Sequence, residues 1–296
     1  MPTVPPSEEL LKRFASLLAR AEAMLPAAFS EPDWSAHAYR WRRQGQRAWL
    51  QPVRLVAALR LDDLLCIDDQ KRVVDANTRQ FLAGLPANNV LLWGPRGTGK
   101  SSLVKALLNQ HAGDGLRLIE IDREHLADLP DVVDLIAARP ERYLLFCDDL
   151  SFEANDPSYK ALKVVLDGSV HATPDNVLVY ATSNRRHLLP EQLSDNQSAR
   201  NIDGEIHHGE AVEEKISLSE RFGLWVALHP FSQDEYLAIV ASWLNKLGIA
   251  GEPDEETRRA ALRWALLHGS RSGRSAWQFS KDWAGQTQLR KRKHVR

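Results

Sequence analysis

A glycine-rich segment about a third of the way along the chain constrains the fold more than any other part of the sequence. After the apolar residues Val90–Trp93 the chain reads Gly94-Pro95-Arg96-Gly97-Thr98-Gly99-Lys100-Ser101, and a helical pattern begins near Lys100. Glycines let the backbone curl so that successive N–H groups point inward, and the next helix adds the positive end of its dipole. The sequence therefore predicts a phosphate-binding loop (P-loop) between a buried strand and a helix.

The side chains of this segment have distinct expected roles. Lys100 is placed to reach the β- and γ-phosphates of a nucleotide, and Ser101 to ligate Mg²⁺, so ATP and Mg²⁺ are the expected cofactors. The predicted nucleotide-binding residues of the loop are Gly94, Pro95, Arg96, Gly97, Thr98, Gly99, Lys100, Ser101 and Ser102. A dinucleotide-binding loop is disfavoured because the glycine spacing differs from G-x-G-x-x-G. A glycine-rich turn that binds nothing is the remaining alternative.

Two further apolar runs end in polar residues. Tyr143–Cys147 is followed by Asp148 and Asp149, and Val177–Ala181 leads to Asn184. Because α/β folds bind ligands at the carboxyl ends of their strands, Asp148 is the predicted partner of Mg²⁺ through its water shell. Asp149 is the candidate base that orients the attacking water, and Asn184 is a candidate to hold that water. The alternatives are a solvated acidic turn and an ordinary turn asparagine.

The order of elements indicates an α/β protein. From residue 88 onward, short apolar runs alternate with helical patterns, which predicts a parallel sheet covered by helices on both faces. The predicted strands are Val90–Trp93, Leu116–Ile121, Tyr143–Cys147, Val177–Ala181 and Leu224–Leu228. Beyond Pro230, three helical stripes predict a small helical lid.

This order divides the chain into four predicted regions. They are a helical accessory region at 1–55, a nucleotide-binding domain at 56–230, the helical lid at 231–285 and a disordered basic tail at 286–296. The accessory region opens with a helix that ends near Pro26 and continues into a stretch rich in Trp and Arg. The polar stretch Pro190–Gly209 is expected to be a mobile loop.

Composition limits the partners. A formal net charge of -1 excludes a globally basic nucleic-acid binder, so any polyanion site must be a local patch. Cations interleaved with Trp in Pro32–Gln51 and the basic tail are the places for such a patch, but a packed helix and a solvated tail are favoured. Cys66 and Cys147 are expected to be reduced, and no stretch is typical of a signal peptide or a membrane span. A cytoplasmic location without membrane contact is therefore expected.

The order of these motifs resembles the AAA+ superfamily of ATPases and, within it, one bacterial family, the DUF815 ATP-binding proteins. Within roughly residues 50 to 285, the similar stretches are Asn88–Lys105, Phe146–Phe152, Tyr180–His187, Ser217–Trp225 and Ser270–Phe279. The resemblance implies a three-layer αβα fold whose parallel five-stranded sheet has the order 5-1-4-3-2, followed by a C-terminal helical lid.

The resemblance also implies roles for individual side chains. Asn184 takes the place of the sensor 1 residue, and Arg221 that of the arginine finger, which reaches the γ-phosphate of a neighbouring subunit. Arg274 takes the place of sensor 2 at the start of a lid helix, with Arg271 as the competing choice. The chain is then one subunit of a homo-oligomer. The alternative for either arginine is an ordinary surface or salt-bridging residue.

The acidic pair departs from the pattern of these ATPases, because Asp148-Asp149 stands where Asp-Glu is usual. A shorter side chain keeps its carboxylate farther from the water, which favours slow hydrolysis and a switch acting on an unknown protein client. One alternative is a non-catalytic ATP-binding adaptor, which has no use for Asp149, Asn184 or Arg221. Another is a loader or remodeller of nucleic-acid complexes, suggested by the basic segments and by analogy of fold.

Overall fold

The computed structural model describes residues 12–17, 31–45, 47–152, 158–167, 174–186, 188, 200–202, 205–207 and 218–294. Residues 12–17 are helical and exposed, and the rest of the predicted N-terminal helix lies outside the described residues. Most of the predicted loop Pro190–Gly209 also lies outside them. Two short strands within that loop, Arg200–Ile202 (β7) and Glu205–His207 (β8), pair with each other as an antiparallel hairpin.

A seven-stranded sheet organises the described residues. Its strands are Ala38–Gln44 (β1), Arg47–Pro52 (β2), Val90–Trp93 (β3), Leu116–Glu120 (β4), Arg142–Cys147 (β5), Val177–Ser183 (β6) and Leu224–Ala227 (β9). They lie in the order β2-β1-β4-β5-β6-β3-β9, and every neighbouring pair except β1–β2 is parallel. The five strands from β4 to β9 have the predicted 5-1-4-3-2 order, so the predicted α/β fold class is confirmed.

The central strands are apolar because both of their faces are covered. Successive residues of β3, β5 and β6 alternate between two hydrophobic clusters. One cluster contains Leu91, Leu145 and Val179, and the other contains Leu92, Leu144 and Tyr180. This period of two is what a pleated strand produces.

Helices cover each face of the sheet. Asp68–Leu82 (α1) and Lys100–His111 (α2) place buried side chains in the cluster of Leu92. Leu129–Ile136 (α3) and Ser158–Asp167 (α4) place theirs in the cluster of Leu91. The arrangement is therefore a three-layer αβα sandwich.

The N-terminal region corrects the sequence prediction. Residues 38–44 and 47–52 are strands rather than part of a helical accessory region, and β1 continues the parallel sheet through the pairs Ala38↔Leu118 and Arg40↔Glu120. The sheet therefore has seven strands instead of five, and a domain limit at residue 55 would divide it. The physical reason is an alternation of period two, because Tyr39 and Trp41 are buried while the intervening arginine forms an ion pair with Glu120.

Three helices form the predicted C-terminal bundle: Gln233–Lys246 (α5), Glu255–Leu267 (α6) and Gly273–His294 (α7). Ser232 caps α5 in a capping box with Glu235, and Asp254 caps α6. The prediction of a disordered tail at 286–296 is wrong as far as His294, because α7 continues to that residue. The segment from Gln286 to Lys293 lacks glycine and proline and consists mainly of good helix formers, so nothing in it ends the helix.

Within the part of the chain that the structure describes, no helix is both long enough and apolar enough to cross a membrane.

Replacing Trp41 tests whether β1 is an integral part of the sheet. Trp41 is 4% exposed and its Nε1 donates a hydrogen bond to Asp128. We expect Trp41→Ala to lower the free energy of unfolding by about 3–5 kcal/mol, because it leaves a cavity and removes the hydrogen-bond donor to one oxygen of Asp128. Urea denaturation measures this, with the half-buried Trp49 on β2 replaced by Ala as the matched control. Equally small losses in both variants would contradict the assignment.

Candidate functional site

The glycine-rich loop connects β3 to α2, as predicted. Its first residue is fixed on both sides, because Gly94 N donates to Ser183 O at 3.1 Å and an added Cβ would lie 2.0 Å from the carbonyl oxygen of Leu228. The φ of Gly94 is 140° and that of Gly99, at the start of α2, is 105°. Residues with a side chain rarely adopt such φ values, so the loop can follow this path only with glycine at these positions.

Lys100 is buried beneath the loop. Its Nζ donates hydrogen bonds to Gly94 O at 2.6 Å, to Pro95 O at 2.8 Å and to Asn184 Oδ1 at 3.1 Å. Burial lowers the pKa of this ammonium from its ordinary value, while the charges of Asp149 and Asp148 oppose the shift. The lysine is therefore a desolvated cation inside a ring of oxygen atoms.

Asp148 accepts hydrogen bonds from two hydroxyl groups. Ser101 Oγ donates to Asp148 Oδ1 at 2.5 Å, and Thr182 Oγ1 donates to the same oxygen at 2.6 Å. Thr182 also accepts a bond from the backbone N–H of Asp149 at 2.8 Å. The sequence interpretation missed Thr182, although a hydroxyl residue at the end of an otherwise apolar strand could have pointed to it.

The predicted base and the predicted water-holding residue are in direct contact. Asn184 Nδ2 donates a hydrogen bond to Asp149 Oδ1, and Arg96 Nη2 lies 3.5 Å from Asp149 Oδ2. The three residues come from the loop after β3 and from the ends of β5 and β6, which are neighbours in the sheet. Asp149 has a φ of 52°, in the left-handed region that few side chains tolerate. The carboxylate is thus held at the mouth of the site.

A cavity of about 700 Å³ lies over the P-loop and extends towards the lid. Its polar wall contains most of the predicted site. Of those residues, Arg96, Gly97, Thr98, Gly99, Lys100, Ser101, Ser102, Asp148, Asp149, Asn184 and Arg274 line it. The lid contacts the loop directly, because Gly273 N donates to Gly97 O at 2.9 Å. The structure places Arg274 in the cavity wall and leaves Arg271 exposed on the surface.

The rest of the cavity lining is mainly apolar and was not predicted. It includes Leu64 and Ile67 from the segment before α1, and Trp243 and Trp277 from the lid helices. The two indole rings lie 4.7 Å apart, centroid to centroid. Both tryptophans lie in the region predicted to be the helical lid, and helical periodicity alone cannot distinguish a cavity wall from a core.

Arg221 lies away from this cavity. Among the described residues, those lining the cavity do not include it. It precedes β9, which runs parallel to β3 with Leu224 opposite Val90, so it lies beyond the amino ends of the strands whereas the P-loop follows the carboxyl end. Its Nε forms an ion pair with Asp167 Oδ1 at 2.5 Å.

The oxygen atoms around Asp148 suit a magnesium ion. Mg²⁺ prefers oxygen ligands and keeps several waters, so one hydroxyl and one carboxylate are a sufficient protein contribution. Ser101 and Asp148 provide these groups side by side. Across the described ranges, no group of three or more His, Cys, Asp or Glu side chains forms a separate metal site.

The sheet order and the loop between β3 and α2 give the chain the fold of AAA+ P-loop proteins. The structure is similar to that of Aeropyrum pernix ORC1 in complex with DNA, with a TM-score of 0.52 and 14% identity, over 76% of this chain and 61% of that one. It also matches the Thermotoga maritima RuvB Holliday junction branch migration motor, with a TM-score of 0.48 and 15% identity, over 76% of this chain and 64% of that one. The chain thus spans less than two thirds of the length of these solved chains.

A sequence match over most of the chain shows the family to which the protein belongs. The model of the family described as "Protein of unknown function (DUF815)" matches residues 34–287, and the protein belongs to this family. The resemblance inferred from the motifs is therefore confirmed. Among curated proteins, no sequence matches this chain at a significant level.

The buried charge of Lys100 predicts an unusual effect on stability. We expect Lys100→Met to raise the free energy of unfolding at pH 7 without added nucleotide, because burial penalises the ammonium only in the folded state. The gain should shrink as the pH rises through the lowered pKa towards 10.5, since the parent then sheds the proton on folding. Urea denaturation at pH 7 and pH 10 measures the difference.

The exposed lysine Lys160 on α4 supplies the matched control. Lys160→Met should change the free energy of unfolding little at either pH. If Lys100→Met instead destabilises the protein at pH 7, the three hydrogen bonds of the ammonium outweigh its desolvation.

Proposed function

We propose that this protein binds ATP with Mg²⁺ and hydrolyses it slowly to ADP and phosphate, with each site shared between two subunits of a homo-oligomer. The nucleotide-driven change of shape would act on an unknown protein client. The observation that carries the proposal is a cavity lined both by the P-loop, a buried lysine and the Asp148–Ser101 pair and by apolar side chains.

The polar and the apolar lining residues suit the phosphates and the base of a nucleotide, respectively. The N–H groups of the loop and the positive end of α2 suit the phosphates. Lys100 Nζ would exchange the carbonyl oxygens of Gly94 and Pro95 for phosphate oxygens, which are stronger acceptors because they carry charge. Trp243 and Trp277 offer flat apolar surfaces for the base.

The acidic pair would divide the remaining work. Ser101 and Asp148 would hold the metal, which when bound supplies positive charge to the phosphate oxygens. Asp149 would accept the proton of the attacking water, and Asn184 would orient that water. We expect slow turnover because Asp149 carries a short side chain and is already engaged by Asn184 and Arg96. Arg274, on the lid, would contact the phosphates as sensor 2.

The position of Arg221 supports a site shared between subunits. A strand rises about 3.3 Å per residue, so β3 and β9 separate Arg221 from the P-loop of its own subunit by at least roughly 10 Å. An arginine there can stabilise a γ-phosphate only in a neighbouring subunit, where such a finger contributes several kcal/mol. A site shared in this way would need an oligomer, and we propose a cytoplasmic one.

The alternatives make different predictions. A non-catalytic adaptor would bind ATP without turnover. A loader or remodeller of nucleic-acid complexes would need free cations in the Trp- and Arg-rich region, but Arg40, Arg42 and Arg43 each pair with a carboxylate. ORC1, which has a similar fold, was solved with DNA. Binding of this protein to single-stranded nucleic acid that weakens with added salt would therefore favour the loader or remodeller.

A pair of variants separates binding from hydrolysis. Lys100→Met should weaken ATP binding at least roughly a hundredfold, because it removes the main charge-assisted contact to the phosphates. Asp149→Asn should keep the parent affinity and lose turnover, because the base acts only on the water. Calorimetry and phosphate release measure the two effects.

Unchanged affinity in Lys100→Met would refute the P-loop assignment. Parent turnover in Asp149→Asn would exclude it as the base and make Glu153, outside the described residues, the next candidate.

A mixing experiment tests the shared site. Arg221→Ala should bind ATP and hydrolyse it poorly, and the specific activity of the parent should rise with protein concentration as subunits meet. When inactive Arg221→Ala is mixed with inactive Lys100→Met, some interfaces join an intact P-loop to an intact finger, and activity should return. If the two variants assemble together, as shown by sedimentation, and remain inactive, the shared site is refuted.

A further inference from the structure

The ion pair between Arg221 and Asp167 joins two elements far apart in sequence. Arg221 Nε lies 2.5 Å from Asp167 Oδ1, and the side chains are 20% and 39% exposed, respectively. Asp167 ends α4, whereas Arg221 lies in the turn before β9. The arginine that would serve the neighbouring subunit is therefore already bound by a carboxylate of its own subunit.

The backbone that carries Arg221 is firmly held. Leu218 and Phe222, on either side of it, are buried, and Arg221 N donates to Leu218 O at 3.3 Å. Ser219 is also fully buried and its Oγ accepts a bond from Leu188 N. The base of the side chain is thus fixed by packing, and the direction of its guanidinium is set by what that group contacts.

Asp167 is an unusual residue for the place that it occupies. The carbonyl end of a helix dipole is negative, so an acidic residue in the last turn is unfavourable without a cation nearby. The last turn of α4 contains no basic residue. Arg221, which lies 54 positions after Asp167 in the sequence, supplies the cation.

We propose that Asp167 is the positioning residue of the arginine finger, an inference that rests on the shared site proposed above. An arginine side chain has four rotatable bonds and loses much entropy when it is aligned with a phosphate. The carboxylate forms its ion pair at Nε, on the edge of the guanidinium nearest the chain, and would restrict the group before a neighbouring subunit arrives. Preorganised charge stabilises a transition state more than charge that must first be aligned.

Removing the carboxylate should impair the finger and leave the P-loop intact. Asp167→Ala should bind ATP with the parent affinity and KM, whereas kcat should fall roughly tenfold, the scale on which supporting partners act. Asp167→Asn keeps the shape and should show a smaller loss, which guards against a folding defect in the alanine variant. Asp131→Ala, at an exposed aspartate on α3, is the matched control and should keep the parent kcat.

Mixing assigns the effect to one side of the interface. Lys100→Met protein keeps Asp167 and Arg221, so mixing it with Asp167→Ala should restore activity at interfaces where it donates the finger. Arg221→Ala protein lacks a finger, so mixing it with Asp167→Ala should restore nothing. The parent mixture of Arg221→Ala with Lys100→Met is measured in parallel.

The outcomes distinguish the two proposals. If the Arg221→Ala and Lys100→Met mixture stays inactive, the shared site itself fails. If that mixture recovers but Asp167→Ala has the parent kcat or a higher one, only the positioning role is overturned. The same conclusion follows if Asp167→Ala is not rescued by Lys100→Met despite co-assembly, because Asp167 would then act outside the finger of the donating subunit.

Discussion

The rest of the site depends on one carboxylate, that of Asp148. It accepts hydrogen bonds from Ser101 at the start of α2 and from Thr182 at the end of β6. Since Asp148 itself follows β5, these two bonds tie three elements together at the carboxyl edge of the sheet. The bonds are possible only because β5, β6 and β3 are adjacent and parallel, which brings their last residues to one place. The phosphate-binding loop is thereby positioned relative to the acidic pair.

Lys100 shows how this arrangement trades stability for chemistry. An ammonium in a partly desolvated position is unfavourable for the folded chain, as its lowered pKa indicates. Two main-chain carbonyls and the amide oxygen of Asn184, with the charges of Asp148 and Asp149 nearby, hold the ammonium in the absence of a stronger acceptor. The proposed activity would therefore rest on a charge whose burial costs the folded protein stability, as is expected at a functional site.

Motifs formed by residues close together in the sequence were predictable, whereas strand pairs and ion pairs between distant residues were not. The loop at Gly94–Ser101 and the strands that precede Asp148 and Asn184 follow from apolar runs and their polar ends. The place of β1 does not, because its alternation spans few residues and its charge partners lie about 80 positions away in the sequence. The apolar wall at Trp243 was equally hidden, since a helical stripe is the same whether it faces a core or a cavity.

The bond from Gly273 N to Gly97 O attaches α7 to the phosphate-binding loop by its first residue. A helix of 22 residues is about 33 Å long at 1.5 Å per residue. A tilt of α7 by about 10° about its first residue would displace its far end by about 6 Å over that length. A change of a fraction of an ångström at the loop is thus amplified into a displacement that a partner at the basic end of α7 would meet as a different surface.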